Sequence, residues 1–351
     1  MRNIHCWGLE VRVNMKITIL GTESLGVRGF SCFVQVKDRK FVIDPGVALG
    51  YRRRGLLPHP AQVAVGEQVR RKIIIALQDA TDVVLSHFHG DHIPLSDANP
   101  YQLNARQVAP LFAKIRLWCK GPDGLSPHMV SRRTALMEVL DRDLPIAEGQ
   151  KNDMVEFSMP VPHGDLQMGC NRVMMTRIAS EGLVFVHASD IQLLDSEAVE
   201  VILTWQPDIV LASGPPIYLA GLSQRQREQA WENGARLANG VDTLILDHHL
   251  LRCDTGLCWL DRLSSATGRR VLCAADFMAQ PRCLLEARRA QLYEEMPVRK
   301  GWHEAYAIGD ANTSAFQTYT DICTHRLMNS DLPMSDAMLP DTLVASREKC
   351  G

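Results

Sequence analysis

From residue 15 onward the chain alternates short apolar runs with longer amphipathic stretches. Met15-Lys16-Ile17-Thr18-Ile19-Leu20-Gly21 reads as a first strand ending in a glycine turn. FSCFVQV (30–36) and KFVID (40–44) follow as a hairpin around Lys37-Asp38. GEQVRRKIIIALQDA (66–80) has helical periodicity, and TDVVLS (81–86) is a short, fully buried strand. Next come a helix near 105–113, a strand over 114–119 and a helix over 126–141. Strands follow at 154–159, 172–178 and 183–187. SEAVEVILTW opens with Ser196 as a cap and reads as helix. Residues 208–213 are strand, 222–240 helix and 242–247 strand. Helices near 257–266 and 275–294 flank a last strand at 270–274. Paired strands early, then strands alternating with helices, predict a layered α/β fold in one compact domain spanning 15–305. Residues 1–14 read as an extension. Residues 306–351 lose periodicity, collect Ser, Thr, Asp, Asn and Met, and read as a loosely ordered tail.

Composition narrows the class. The chain has 351 residues, 46% of them hydrophobic, which is ample for a large core. A formal charge of −2 gives no long-range pull toward nucleic acid or anionic membrane. No apolar run approaches the roughly 18 to 20 residues that span a bilayer. MRNIHCWGLEVRVN lacks the apolar core a signal peptide uses. The ten cysteines are scattered and form no CxxC; several sit in strand-like runs, where a reduced Cys is a small hydrophobe. A cytoplasmic enzyme with free thiols is the expectation.

The chemistry concentrates in LSHFHGDHIPL (85–95), which packs His87, His89, Asp91 and His92 into six positions. A strand ending at Ser86 delivers His87 and His89 to one side, because alternate side chains of an extended segment point together. Gly90 would permit the tight turn that brings Asp91 and His92 round to a second position. That geometry suits two divalent cations roughly 3.5 to 4 Å apart, one for each half of the motif.

HxHxDH is the signature of the metallo-β-lactamase fold superfamily, and the chain resembles it over most of 15–305. FVIDPG supplies Asp44, VPHGD supplies His163, RVMMTRIASEGLVFVHASD ends in Asp190, and LILDHHL supplies His248. The combination of SHFHGDH, VHASDIQLL, ASGPP and LDHHLL resembles more narrowly a largely archaeal family of predicted metal-dependent hydrolases, which adds no substrate. The resemblance implies an αββα sandwich, two mixed sheets packed face to face with helices outside. It implies two sites: His87, His89 and His163 for one metal, and Asp91, His92 and His248 for the other, with Asp190 bridging. Imidazole and carboxylate donors suit Zn²⁺ well, and Mn²⁺ or Fe²⁺ less exclusively. Asp44 reads either as orienting a ligand histidine or as a turn residue before Pro45-Gly46. His249 competes with His248; neighbours on a strand end point opposite ways, so one of them should reach the metals, and the family pattern favours His248. His187, three before Asp190, is open as a proton donor, an extra ligand or a core histidine.

Two branches of the superfamily are disfavoured. Oxygen-reducing flavodiiron proteins carry Glu where His89 stands, and cap-domain nucleases need well over a hundred residues where Asp190 to His248 spans 248 − 190 = 58 positions. The RNA-processing branch shares the layout, but its protruding Gly- and Pro-rich arm is not found, and 6% aromatics give little for base stacking. VALGYRRRGLLPHP places Tyr51, Arg52, Arg53 and Arg54 before the cluster, where guanidinium groups could pair with phosphate or carboxylate; the alternative is a solvated basic loop. Ser213-Gly214-Pro215-Pro216-Ile217-Tyr218 is a second candidate wall. The expectation is a binuclear hydrolase in which a metal-bridging hydroxide, with Asp91, Asp190 and His187 as candidate catalytic groups, cleaves an ester-type bond, leaning to a phosphoester of a small anionic substrate. An RNA-processing nuclease, a thioester or lactone hydrolase, and a non-catalytic metal-binding protein are the alternatives.

Overall fold

A computed structural model of the chain describes residues 15–164 and 171–316. The expected extension (1–14) and residues 317–351 of the expected tail lie outside the described residues. Strand β1 (Met15–Gly21) pairs antiparallel with β2 (Ser31–Val36), which turns at Lys37 (φ 52°) into antiparallel β3 (Arg39–Ile43). Strands β4 (Asp82–Leu85) and β5 (Arg116–Cys119) add in parallel, giving a five-stranded sheet in the order β1-β2-β3-β4-β5. The second sheet has the order β13-β12-β11-β10-β9-β6. There β6 (Val155–Phe157), β9 (Thr176–Ser180) and β10 (Leu183–His187) pair antiparallel. Strands β11 (Ile209–Ala212), β12 (Thr243–Leu246) and β13 (Arg270–Leu272) continue in parallel. A short ladder of β7 (Val161–Pro162) and β8 (Arg172–Val173) stands apart.

The two-residue period of the strands decides the layers. Phe41, Ile43 and Val84 face inward into one core with Ile178, Phe185, Leu211 and Ile245 of the second sheet. Val42, Val83 and Leu85 face the other way, onto α1 (Pro60–Asp79), α2 (Ala105–Phe112) and α3 (Pro127–Leu140). Val199 of α4 (Ser196–Thr204), Leu237 of α5 (Gln224–Gly240) and Leu263 of α6 (Thr255–Thr267) cover the outer face of the second sheet. The result is an αββα sandwich of the metallo-β-lactamase type. No helix among the described residues is long and apolar enough to cross a membrane.

Several local expectations change. Helix α1 begins six residues earlier than its periodicity suggests, because His59 caps it: the ring accepts from Ala61 N at 3.1 Å and the Gln62 side chain accepts from His59 N at 2.9 Å. The cap of α4 is Asp195 rather than Ser196. The helix expected over 275–294 is broken into α7 (Ala274–Phe277) and α8 (Arg289–Glu295), since Ala279 turns at φ 50° and Pro281 offers no amide hydrogen. The domain limit placed at 305 falls inside α9 (Trp302–Ala307), and Tyr306 and Thr313 both donate to Glu67 of α1. Cys32, Cys119, Cys253 and Cys273 are free, as expected, whereas Cys258 and Cys283 are disulfide-bonded.

Candidate metal centre

The carboxyl ends of β3, β4, β10 and β12 reach one edge of the sandwich, where open α/β sheets place ligands. Strand β4 is buried throughout, and beyond it Ser86 donates from its amide (2.8 Å) and hydroxyl (2.6 Å) to the Asp44 carboxylate. The chain stays extended, so His87 and His89 share a side, their ring nitrogens 2.9 Å apart. His92 N then closes on His89 O at 3.0 Å. Gly90 sits at this turn for space rather than for left-handed backbone: a Cβ there would lie 3.0 Å from Leu95 Cδ1 and 3.3 Å from Arg132 Nη2. Gly46 is under a stricter demand, with a Cβ at 2.2 Å from Ile93 N and 2.3 Å from His92 C. FVIDPG is thus the floor on which the histidine turn rests.

Asp44 is fully buried at φ 49°, a conformation uncommon for any residue but glycine. Its Oδ2 lies 2.9 Å from His92 Nδ1 and accepts from Ser189 Oγ at 3.2 Å. It therefore orients His92, of the two roles open in the sequence, and the turn at Pro45-Gly46 coexists with that role.

Asp190 stands opposite, after Ser189 at φ 53°. Its Oδ2 is 3.1 Å from His163 Nε2, 3.4 Å from His87 Nε2, 3.5 Å from His249 Nε2 and 3.7 Å from His89 Nδ1. Its Oδ1 is 3.2 Å from His92 Nε2 and 3.6 Å from His248 Nε2. One carboxylate thus faces six imidazoles, with its two oxygens divided between them. Gln192 N bonds the carbonyl of His163 at 3.2 Å, and Ser213 N that of Ser189 at 3.1 Å, so β7 and the end of β11 brace this turn. Four overlapping groups could each hold a metal ion: His87-His89-His163-Asp190, Asp44-His87-His92, Asp91-His92-His248 and Asp190-His248-His249. His92 Nε2, Asp190 Oδ1 and His248 Nδ1 are buried without a hydrogen-bond partner among the described residues. Orphaned buried donors and acceptors are rare, and a cation is the natural partner for this set.

The expectation that only one of His248 and His249 reaches the centre fails. Strand β12 ends at Leu246, and His249 is already helical (φ −69°, ψ −36°) ahead of a 3-10 turn at Leu250–Arg252. Both rings therefore come round together, stacked with centroids 4.7 Å apart. The same turn brings in a residue the sequence reading missed. Arg252 puts Nη2 2.7 Å from His248 Nε2 and 3.5 Å from Asp91 Oδ2, with Nε on Glu23 at 3.0 Å and Nη1 on Tyr218 OH at 3.2 Å.

No family model matches the chain. It is 48% identical over 302 residues to a UPF0282 protein of Methanosarcina mazei, a match covering 86% of this chain and 99% of that protein. It is 35% identical over 295 residues to a UPF0282 protein of Methanopyrus kandleri, covering 80% and 100%. The chain belongs to the UPF0282 family. Among solved structures it is similar to Tm1679, a metal-dependent hydrolase of the β-lactamase superfamily, at 13% identity over 74% of this chain and 95% of that one, with a TM-score of 0.44.

The electrostatics of this UPF0282 chain keep most of the imidazoles neutral. Burial, then the neighbouring His92 and His89, push His87 down to about 3. Burial also lowers His163, and for His248 and His249 the Arg252 charge adds to it. His92 is the exception: burial works against its charge, but Asp190 and Asp44 outweigh it and raise its pKa. Burial opposes ionisation of Asp190, yet His92, His249 and His248 hold it well below the usual carboxylate range. Neutral imidazoles around an ionised carboxylate are the protonation states a metal requires.

Other expected site residues lie elsewhere. His187 does not join the cluster: its Nε2 donates to Phe30 O at 3.0 Å, and its ring packs on Phe30. Arg52 and Arg54 are exposed, and Tyr51 stands by Tyr101. Arg53 turns away to Glu286 at 3.7 Å and donates to the carbonyl of Arg252. Among the described residues none of the four bonds a cluster member, because the loop folds over the segment that carries Arg252. Of the second wall, Tyr218 contributes through Arg252, while Ser213 Oγ donates to Ile191 O at 3.0 Å and supports the Asp190 turn. Arg132 is the cation beside the histidine turn; half-buried at Gly90, it has no hydrogen bond or ion pair among the described residues.

Proposed function

We propose that the chain is a metal-dependent hydrolase of ester-type bonds in a small anionic substrate. The observation that carries this reading is the single carboxylate of Asp190 set among six imidazoles, a donor set suited to a divalent cation. A divalent cation held by these residues, Zn²⁺ by donor type and Mn²⁺ or Fe²⁺ less exclusively, would supply Lewis acidity and lower the pKa of a water from about 15.7 toward 7. His87, His89 and His163 would bind it, and Asp190 would balance its charge. Asp44 holds the His92 ring at a fixed angle, and Ser86 holds Asp44. His89 and Asp91 are the more open members, with side chains 29% and 15% exposed, so a substrate approaches on their side. Asp91, held ionised by the His92, His248 and Arg252 charges, faces that side as a hydrogen-bond acceptor. Arg132 supports the anionic substrate class in place of the Arg52–Arg54 loop, by offering beside the same turn a guanidinium with no hydrogen bond or ion pair among the described residues. The phosphoester preference now rests on Arg132 alone, and carboxylic esters, lactones and thioesters share its charge logic less well.

The test combines metal analysis of the purified full chain with turnover on phosphomonoester, phosphodiester, lactone, thioester and RNA panels. Bound divalent metal, and a hydrolytic activity lost in Asp190→Ala and His89→Ala, are expected. A protein that binds no metal, or metal-loaded protein inert on every panel, would contradict the reading.

A further inference from the structure

The Asp91 side of the centre already contains a cation. We propose that the Arg252 guanidinium takes the place of a second metal ion, so that the centre holds one ion, on the His87-His89-His163-Asp190 side. This rests on the reading of the cluster as a metal centre.

Asp91, His92 and His248 offer ligand atoms within 4.8 Å of one another, the set that would take the second ion. Arg252 Nη2 contacts two of those atoms, 2.7 Å from His248 Nε2 and 3.5 Å from Asp91 Oδ2. A guanidinium only donates, so His248 Nε2 must accept, and the lone pair a metal would need is engaged. An arginine has no lone pair to offer a metal in exchange. Nor is this side chain loosely placed. It is 9% exposed, and Glu23 Oε1 and Tyr218 OH receive two further hydrogen bonds at 3.0 and 3.2 Å. The Arg252 carbonyl is in turn held by Arg53, itself paired with buried Glu286. Asp91 and Asp190 supply the negative charge that a second divalent cation would otherwise neutralise. The Arg52–Arg54 loop gains its purpose here, as a brace for the turn that aims Arg252. On this side the substrate meets fixed N–H donors instead of a second Lewis acid.

The full chain, stripped with chelator, loaded with Mn²⁺ and desalted, tests this by metal content and electron paramagnetic resonance. Wild type is expected to hold close to one Mn²⁺ per chain with the spectrum of an isolated ion. Arg252→Met should raise the content to about two and give a spin-coupled pair. Glu23→Gln combined with Arg252→Met serves if the lone Glu23 charge unfolds the single variant. Two tightly held, coupled ions in wild type would overturn the inference and leave the metal-centre reading intact. A content that stays at one in the folded variants would also overturn it. No bound metal in wild type would overturn both. The wild-type spectrum decides between these outcomes even if neither variant folds.

Discussion

Asp44 shows how one residue can matter to a centre it does not face. Its carboxylate ties the amide and hydroxyl of Ser86 to the His92 ring, joining the end of β4 to the turn. Burial opposes its charge, but the hydrogen bond and charge of His92 keep its pKa below the usual value. Asp44→Asn keeps the shape and removes the charge. Metal affinity, read by competition with a chelator, should fall about 10- to 100-fold while the fold persists, because Ser86 Oγ, held by Asp44, stands 2.9 Å from Nδ1 of the ligand His87 and so braces that ring. Unchanged affinity would reduce Asp44 to a turn residue. His187 is the converse case, since it stands three residues from Asp190 and faces Phe30 instead. His187→Ala should leave metal content unchanged and cost stability, roughly 2 to 5 kcal/mol by analogy with large-to-small core changes. Loss of metal with stability intact would return His187 to the centre.

At the scale of elements, what was legible followed from period-two patterning. The run Val83-Val84-Leu85 announces a buried strand, and extended backbone beyond it puts His87 and His89 together, as the sequence predicts. The rest hid where backbone changes type without a marker. Leu246 to Arg252 leaves β12 and enters a 3-10 turn with no glycine or proline to signal it, so the alternation of a strand end points His249 away. Arg252 is 161 positions from Asp91, and no spacing rule reaches across that distance. The turn predicts that His249→Ala lowers metal affinity, since its Nε2 stands 3.5 Å from Asp190 Oδ2 on the metal side; an unaltered His249→Ala would restore the strand-end reading. The Arg52–Arg54 loop divides likewise. Arg52→Ala and Arg54→Ala should be silent in stability and kinetics, while Arg53→Ala should destabilise, since Glu286 and the Arg252 carbonyl each lose a partner. Chemical denaturation of the three variants separates these outcomes.

For the whole molecule, the buried histidines set a pH dependence in the metal-free state. His87, His163, His187, His248 and His249 all have lowered pKa values through burial first. Unfolded, they take up protons below about 6.5; folded, they resist, so stability falls as pH drops from about 6.5 toward each lowered value. Each such group contributes up to about 1.4 kcal/mol per pH unit. His92 runs the opposite way, its contribution present below about 6.5 and lost as pH rises through its raised value. The lowered carboxylates of Asp44, Asp91 and Asp190 lose their contribution only below about 3.8, outside this window. His59 and His303, also lowered by burial, join these five, while Glu23, pushed up to about 8 by burial, acts with His92. With seven groups against two, metal-free protein should be less stable at pH 5.5 than at pH 7 in denaturant unfolding, and equal or greater stability at pH 5.5 would contradict this balance. The same sandwich, with its loops gathered at one edge, makes the metal centre the central claim. Anomalous diffraction at the edge of the bound metal locates it directly. A peak enclosed by His87, His89, His163 and Asp190 is the predicted result. A metal-loaded crystal with no peak there, or with its metal on cysteine sulfur, would contradict the account.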